Sequence, residues 1–362
     1  MTRPGKASVG RPPTLPIRTA HTFYLFRGRE WLWLGFGLVV AVFWPVIVNQ
    51  HWLHVTNLSL VAVMGAVGLN LLTGNARLVS LGQAGFLAIG GFSAGAMFHH
   101  FGAPFWVGLF VAVALGGIAG FVVAIPSLRL KALYVAITTL ALHLGVTSAF
   151  AVYLARVIRS EGVIVDPPNL GFFVLEDMAA WYYFLLIIAA LIVIGALNLR
   201  RSFLGRRWVA VGDHELASEA LGISVHRAKL SAFIVTSMIV SFAGCLGAYY
   251  EGVITAGYYD LHLAIAYLAM IIVGGLGSVL GSILGAFVIT FLPYLLDLLI
   301  GVIGVKIAAG SLSGLHSVLY GLLIVGFMLF EPLGLAEVWR RLRDYFILWP
   351  FRYRPLEQRR QR

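Results

Sequence analysis

Apolar runs of 15 to 23 residues, separated by short polar or glycine-bearing connections, recur along almost the whole chain. Crossing a hydrocarbon core of ~30 Å takes about 20 mostly apolar residues. Ten runs qualify: 31–48, 58–72, 81–98, 105–125, 132–154, 179–199, 230–249, 261–276, 278–300 and 315–330. The pattern predicts an all-α polytopic membrane protein with about ten transmembrane segments. Runs 81–98 and 261–276 are rich in glycine, and such segments can enter the membrane without crossing it as a plain helix. If runs one to five and six to ten form halves, five crossings each would make those halves inverted. The two glycine-rich runs would then hold equivalent places.

Composition narrows the class. The chain of 362 residues is 60% apolar and only 11% charged, against about 25% charged in an ordinary soluble domain. A soluble enzyme is excluded, and so is a disordered chain, which lacks the apolar content to bury. The single cysteine, Cys245, has no intrachain disulfide partner.

The formal charge is +11, from 26 Lys and Arg against 15 Asp and Glu. Basic flanks resist translocation. With ten spans and a cytoplasmic N-terminus, six basic residues fall before residue 31, one at Arg77, two at Arg129 and Lys131, six from Arg200 to Lys229, and eight after residue 330. Only Arg156, Arg159 and Lys306 fall outside. Removing one span would invert everything after it and spoil this split, so both termini are expected on the cytoplasmic face. The charge then needs no nucleic-acid partner. Residues 1–30, with Pro4, Pro12, Pro13 and Pro16, read as a disordered basic tail, 31–330 as the transmembrane domain, and 331–362 as a second basic tail. Run 31–48 is too long for a cleaved signal sequence, and Trp31, Trp33, Trp44 and Trp52 suit the two interfaces around it.

The longest connection, 200–229, has a pattern of its own. Asp213 suits an N-cap and Gly222 the position just past a helix end. Between them Leu216, Ala217, Ala220 and Leu221 share one face, with Glu215, Ser218 and Glu219 elsewhere. A helix lying on anionic lipid would carry Lys and Arg on its polar face. This one is acidic at its centre and basic only at its flanks, so it reads either as a solvated linker or, more sharply, as a docking point for another protein.

The run DHELASEALGISVHRAKLSAF at 213–233 resembles the loop of ABC importer permeases that docks on the ATPase subunit. LNLLTGNARLVSLGQAGFLAIGGFSAG (69–95), LRLKALYVAITTLAL (128–142), MIIVGGLGSVLGSILGA (270–286) and WPFRY (349–353) resemble, in order, motifs of branched-chain amino acid permeases of the LivM-like kind. The resemblance covers roughly residues 58–353. His214, Ser218 and Ala132 depart from it, which leaves the solute open. It implies a permease subunit of a bacterial inner-membrane importer, paired with a second homologous permease, two cytoplasmic ABC ATPase subunits and an extracytoplasmic solute-binding protein. Asp213, Glu215, Glu219, Ala220 and Gly222 would then couple to the ATPase.

Glycines spaced by four, at 91 and 95, 116 and 120, and 277, 281 and 285, place small residues on single helix faces, as close helix contact in lipid requires. Ser80–Gln83 and Gly274–Ser278 add polar side chains to permissive backbone at the edge of apolar runs, a pattern that suits a solute path. The resemblance supports a pore lined in part by these segments, with Ser80, Gln83, Ser93, Thr138, Thr139 and Ser278 as candidates. Each serine or threonine has the alternative of bonding its own helix backbone.

Several chemistries are discarded. Gly91-x-Ser93-x-Gly95 fits a nucleophile elbow only in a strand-turn-helix setting. His214-Glu215 lacks the second histidine of a zinc helix, since Ser218 holds that place. No lysine follows a phosphate-cradle glycine pattern, so ATP hydrolysis would belong to another polypeptide. No cofactor or metal is expected. Asp297 and His143 are the clear ionisable groups at membrane depth; two isolated groups make a poor proton relay, yet a stand-alone secondary carrier remains the alternative, as does the same permease type importing urea, amides or aromatic acids.

Overall fold

The computed structural model describes residues 41–128, 132–169, 175–303 and 334–348, with single helical positions between 314 and 326. The chain divides after Val48 into two units. In the first, residues 41–47 are helical. The rest of run 31–48, most of run 315–330, residues 1–30 and the WPFRY stretch lie outside the described residues.

In the second unit the chain runs through α1 (Gln50–Asn70), which continues as a π-turn at Leu71–Asn75, then α2 (Gln83–Phe101), α3 (Phe105–Ser127) and α4 (Ala132–Tyr153), extended by a π-turn at Leu154–Ile158. After strand β1 (Gly162–Ile164) come α5 (Met178–Arg201), α6 (Phe203–Asp213), α7 (Glu215–Ala220) and α8 (Val225–Glu251). Strand β2 (Val253–Thr255) and a short 3-10 turn lead to α9 (Leu261–Gly274), α10 (Val279–Ile303) and α11 (Leu335–Leu348). Among the described residues six helices are long and apolar enough to cross a membrane: Gln50–Asn75, Phe105–Ser127, Tyr134–Ile158, Met178–Arg201, Val225–Glu251 and Val279–Leu298. The molecule is a polytopic α-helical membrane protein. Among the described residues the one sheet is the antiparallel ladder of β1 and β2, with Val163 opposite Ile254.

Apolar content alone does not tell a lipid-facing helix from a central one. In α1 and its π-turn 94% of the most apolar stretch is buried, against 28% in the helices Tyr134–Ile158 and Met178–Arg201. The interior position of α1 matches its buried Thr56, Asn57, Ser59 and Asn70, polar groups that find partners only within protein. α1 also begins eight residues before the run at 58–72, because His51, His54 and Asn57 interrupt the apolar pattern without interrupting the helix.

α1 packs against α5, α8, α9 and α10, and α8 against α1, α2 and α3. Small residues set the spacing, as expected where lipid gives no hydrophobic drive for association. A methyl group at Gly90 would collide with the Ser241 carbonyl, at Gly244 with Leu87, and at Gly116 and Gly120 with Ser241 and Ser237. Gly281 and Gly285 meet Gly274 and Met270 in the same way. Gly277 does not join that helix face; it sits before α10 with φ of +76°. The pairings have a further regularity. Exchanging α1 with α8, α2 with α9 and α3 with α10 turns α3–α8 into α10–α1, α2–α8 into α9–α1 and α2–α3 into α9–α10, and all six contacts occur.

Candidate functional site

The connection 200–229 folds as two helices rather than one. Ser202 caps α6 by accepting from the Gly205 N–H, and Trp208 on α6 is fully buried, its indole N–H donating to Ser231 Oγ at 2.9 Å. α6 therefore lies against the start of α8. Asp213 does not cap the next helix: it is the last residue of α6, His214 takes the cap position of α7, and the Asp213 carboxylate binds Arg77 at 2.7 Å. The competing partner is a cation that α6 brings close, which a local spacing argument does not reveal. α7 ends as its sequence predicts in form. The Gly222 N–H donates to the Glu219 carbonyl and the Ile223 N–H to the Ser218 carbonyl, with Gly222 at φ of +80°, the paired bonds of a Schellman turn.

The face of α7 turned inward is Ser218. Leu216 and Leu221 are 84% and 81% exposed, and Asp213, Glu215, Glu219, Ala220 and Gly222 are exposed with them. Glu215 turns back to Lys229, 2.6 Å away. Lys229 was grouped with the connection by its charge, but it is buried inside the first turns of α8.

At the same end of the bundle α9 stops at Gly274, and α10 starts at Val279. Asn70, the last residue of α1, holds the intervening backbone. Its side-chain amide donates to the Ser278 carbonyl at 2.9 Å, to Ser282 Oγ at 2.6 Å and to the Gly275 carbonyl at 3.4 Å, while its Oδ1 accepts from the Gly277 N–H at 2.8 Å. Arg200, at the end of α5, donates to the Gly277 carbonyl at 2.8 Å. Run 261–276 is thus a short helix followed by a break, whereas run 81–98 from Gln83 onward belongs to one continuous helix, Gln83–Phe101.

The six path candidates separate. Ser80 and Gln83 line one cavity with Gly68, Leu69, Leu72, Phe86, Thr236, Ser237 and Val240. Its volume, about 10 Å³, is at the lower limit for a single water. Gln83 also donates to the Gly65 carbonyl at 2.9 Å, and Thr139 accepts from the Leu81 N–H at 3.0 Å while donating to the Ala136 carbonyl. Ser93 and Thr138 donate to Ile89 and Tyr134 in their own helices. Ser278 caps α10 by accepting from the Gly281 N–H at 3.1 Å. Thr236 and Ser237 are the cavity residues that sequence reasoning missed; they stand in the middle of an apolar run, where a lone hydroxyl reads as backbone-bonded. Their hydroxyls do bond their own helix as well. His143 is buried against Gly85, and Asp297 is exposed on α10. Among the described residues no three His, Cys, Asp or Glu side chains come together as a metal site.

A bundle of membrane-length helices, with buried polar residues in its interior and an amphipathic connection exposed at one end, has the form of a multi-pass transport protein. Residues 52–329 match the family model described as "Branched-chain amino acid transport system / permease component", and the chain belongs to that family. It is 28% identical over 274 residues to the high-affinity branched-chain amino acid transport system permease protein LivM of Escherichia coli, covering 69% of this chain and 64% of that protein. The LivM protein of Salmonella typhimurium is 29% identical over 276 residues, with the same coverage. The autoinducer 2 import system permease protein LsrC of an Enterobacter species is 30% identical over 146 residues, 39% of this chain and 40% of that one. The match thus spans slightly under two thirds of the LivM proteins' own length. No solved structure matches the chain.

Proposed function

We propose that the chain is the permease subunit of an ATP-binding-cassette importer, carrying branched-chain or related amino acids across the bacterial inner membrane by alternating access. In this reading residues 31–330 form the transmembrane domain, and the basic tails 1–30 and 331–362 lie on the cytoplasmic face with the 200–229 connection. A second homologous permease, two ABC ATPase subunits and an extracytoplasmic solute-binding protein complete the importer. The equivalence of helix contacts under exchange supports two inverted halves rocking about the α1–α8 contact.

The observation that carries the reading is α7. Two leucines more than four-fifths exposed, flanked by Glu219, stand on a helix capped at its end and tied at its base. Exposed leucines beside carboxylates favour a protein partner over anionic lipid. The test is Glu219→Lys in the full chain, co-expressed with its ATPase. Loss of co-purification or of uptake is expected; an ATPase that still co-purifies, hydrolyses and drives leucine uptake as before would refute α7 as the docking helix. Uptake into vesicles without any ATPase would instead establish a secondary carrier. Competition of leucine uptake by urea, amides or aromatic acids fixes the solute class, which the LsrC relative widens beyond amino acids.

A further inference from the structure

Two ion pairs leave the junction of α6 and α7 in different directions. On one side Lys229 has a side chain only 7% exposed, with Nζ 2.6 Å from Glu215 Oε1 on the first turn of α7. Moving Glu215 away would leave the Lys229 ammonium without its counter-charge on a side chain that is itself buried, which is unfavourable, so the pair ties the start of α8 to α7. Thr236 lies seven residues beyond Lys229, two helical turns further along the same face, and Thr236, Ser237 and Val240 form one wall of the cavity.

On the other side Arg77 pairs with Asp213 at 2.7 Å. This pair is exposed and energetically weak, but the backbone reinforces it. A methyl group at Gly212 would lie 2.8 Å from the Asn75 carbonyl oxygen and 3.1 Å from that of Ala76, so α6 ends in direct contact with the stretch after α1. Arg77 itself holds a left-handed conformation at φ of +52°, one a non-glycine residue keeps only where its surroundings demand it. Three residues on comes Ser80 and then Gln83, which line the cavity against Thr236 and Ser237.

We infer that Lys229 and Arg77 are positioning residues that carry displacement of the docking helix to two facing walls of one cavity, through α8 and through residues 76–82, so that the inner end of the path opens when α7 moves. This rests on the docking role proposed above. Neither residue lies on α7, so substituting them leaves the docking surface in place.

The experiment uses the full chain assembled with its homologous permease and ATPase subunits in proteoliposomes, with the solute-binding protein supplied, reading ATPase co-purification, ATP hydrolysis and uptake of radiolabelled leucine. In Lys229→Met and in Arg77→Asp the ATPase is expected to remain bound and active while leucine taken up per ATP falls about tenfold, within the usual range of coupling between sites. Arg77→Lys, which keeps a cation opposite Asp213, is expected to retain most of the uptake per ATP that Arg77→Asp loses. Labelling of a cysteine placed by Ser237→Cys reports the cavity: its rate should change with ATP in the otherwise unmodified chain and stay constant once Lys229→Met is added; Cys245, fully buried, stays in place. Uptake per ATP unchanged in both single variants, as when uptake falls only in step with hydrolysis, overturns the linkage alone. An unmodified chain that holds no ATPase overturns the docking role beneath it.

Discussion

Stretch 81–98 carries five glycines spread along its length and stretch 261–276 two at its very end, Gly274 and Gly275, and α2 runs unbroken to Phe101 while α9 stops at Gly274. In α2 the glycines stand inside the helix and serve close contact: Gly85 meets His143, Gly90 the Ser241 carbonyl and Gly91 Tyr259. In α9 they gather at the end, where Gly275 and Gly277 adopt positive φ and Asn70 bonds the backbone groups that a continuing helix would have satisfied. Glycine therefore permits either outcome in a membrane segment. A polar side chain from another helix, placed to satisfy the freed N–H and C=O groups, decides for the break.

The sharpest way to destroy this difference is to remove that partner. Asn70→Leu leaves the half-buried Gly277 N–H without its bond and takes one donor from the Ser278 carbonyl, which keeps the Ser282 N–H, and about 3 kcal/mol of stability should go with these losses. The thermal midpoint of the purified protein in detergent measures it; an unchanged midpoint would mean the break holds itself. Gly90→Leu attacks the other region. It over-packs the contact of α2 with α8 and should cost about 1–3 kcal/mol, while the same change at the exposed Gly222 acts only through its left-handed backbone. The smallest effect compares two serines. Ser278→Ala removes the cap of α10 at a cost of about 1 kcal/mol, whereas Ser93→Ala, whose hydroxyl bonds only its own helix, should stay within about 0.5 kcal/mol. Equal values for the two would show that the break draws nothing from its cap.

Much of the helical plan was legible because lipid demands it. Runs 105–125, 132–154, 179–199, 230–249 and 278–300 correspond to α3, α4, α5, α8 and α10 to within a few residues, since no other structure satisfies that much apolar backbone. The start of α1 was hidden by His51, His54 and Asn57, which are polar yet helical. His54 bonds the Tyr250 hydroxyl and Asn57 the Met178 carbonyl, partners nearly 200 and over 120 positions away. α6 was missed because its buried face is carried mainly by Trp208 and Val211 among four arginines in the surrounding stretch 200–207. The short helix α7 was legible from Glu215, Leu216, Glu219 and Gly222, but the ion pair of Asp213 was not, because Arg77 is 136 positions distant in sequence.

Sequence alone determined that the chain is a multi-pass helical membrane protein of the branched-chain permease family, because apolar length and ordered local motifs are one-dimensional properties. It also marked the amphipathic connection, whose period is local. Tertiary structure alone decided which helix is central, which glycine-rich run breaks, and which polar residues meet. Asn70 with Gly277, Lys229 with Glu215, and Ser80 with Thr236 are joined by helix packing rather than by spacing. A buried amide or ammonium group must find a partner wherever the fold brings one, and no local pattern encodes where that will be.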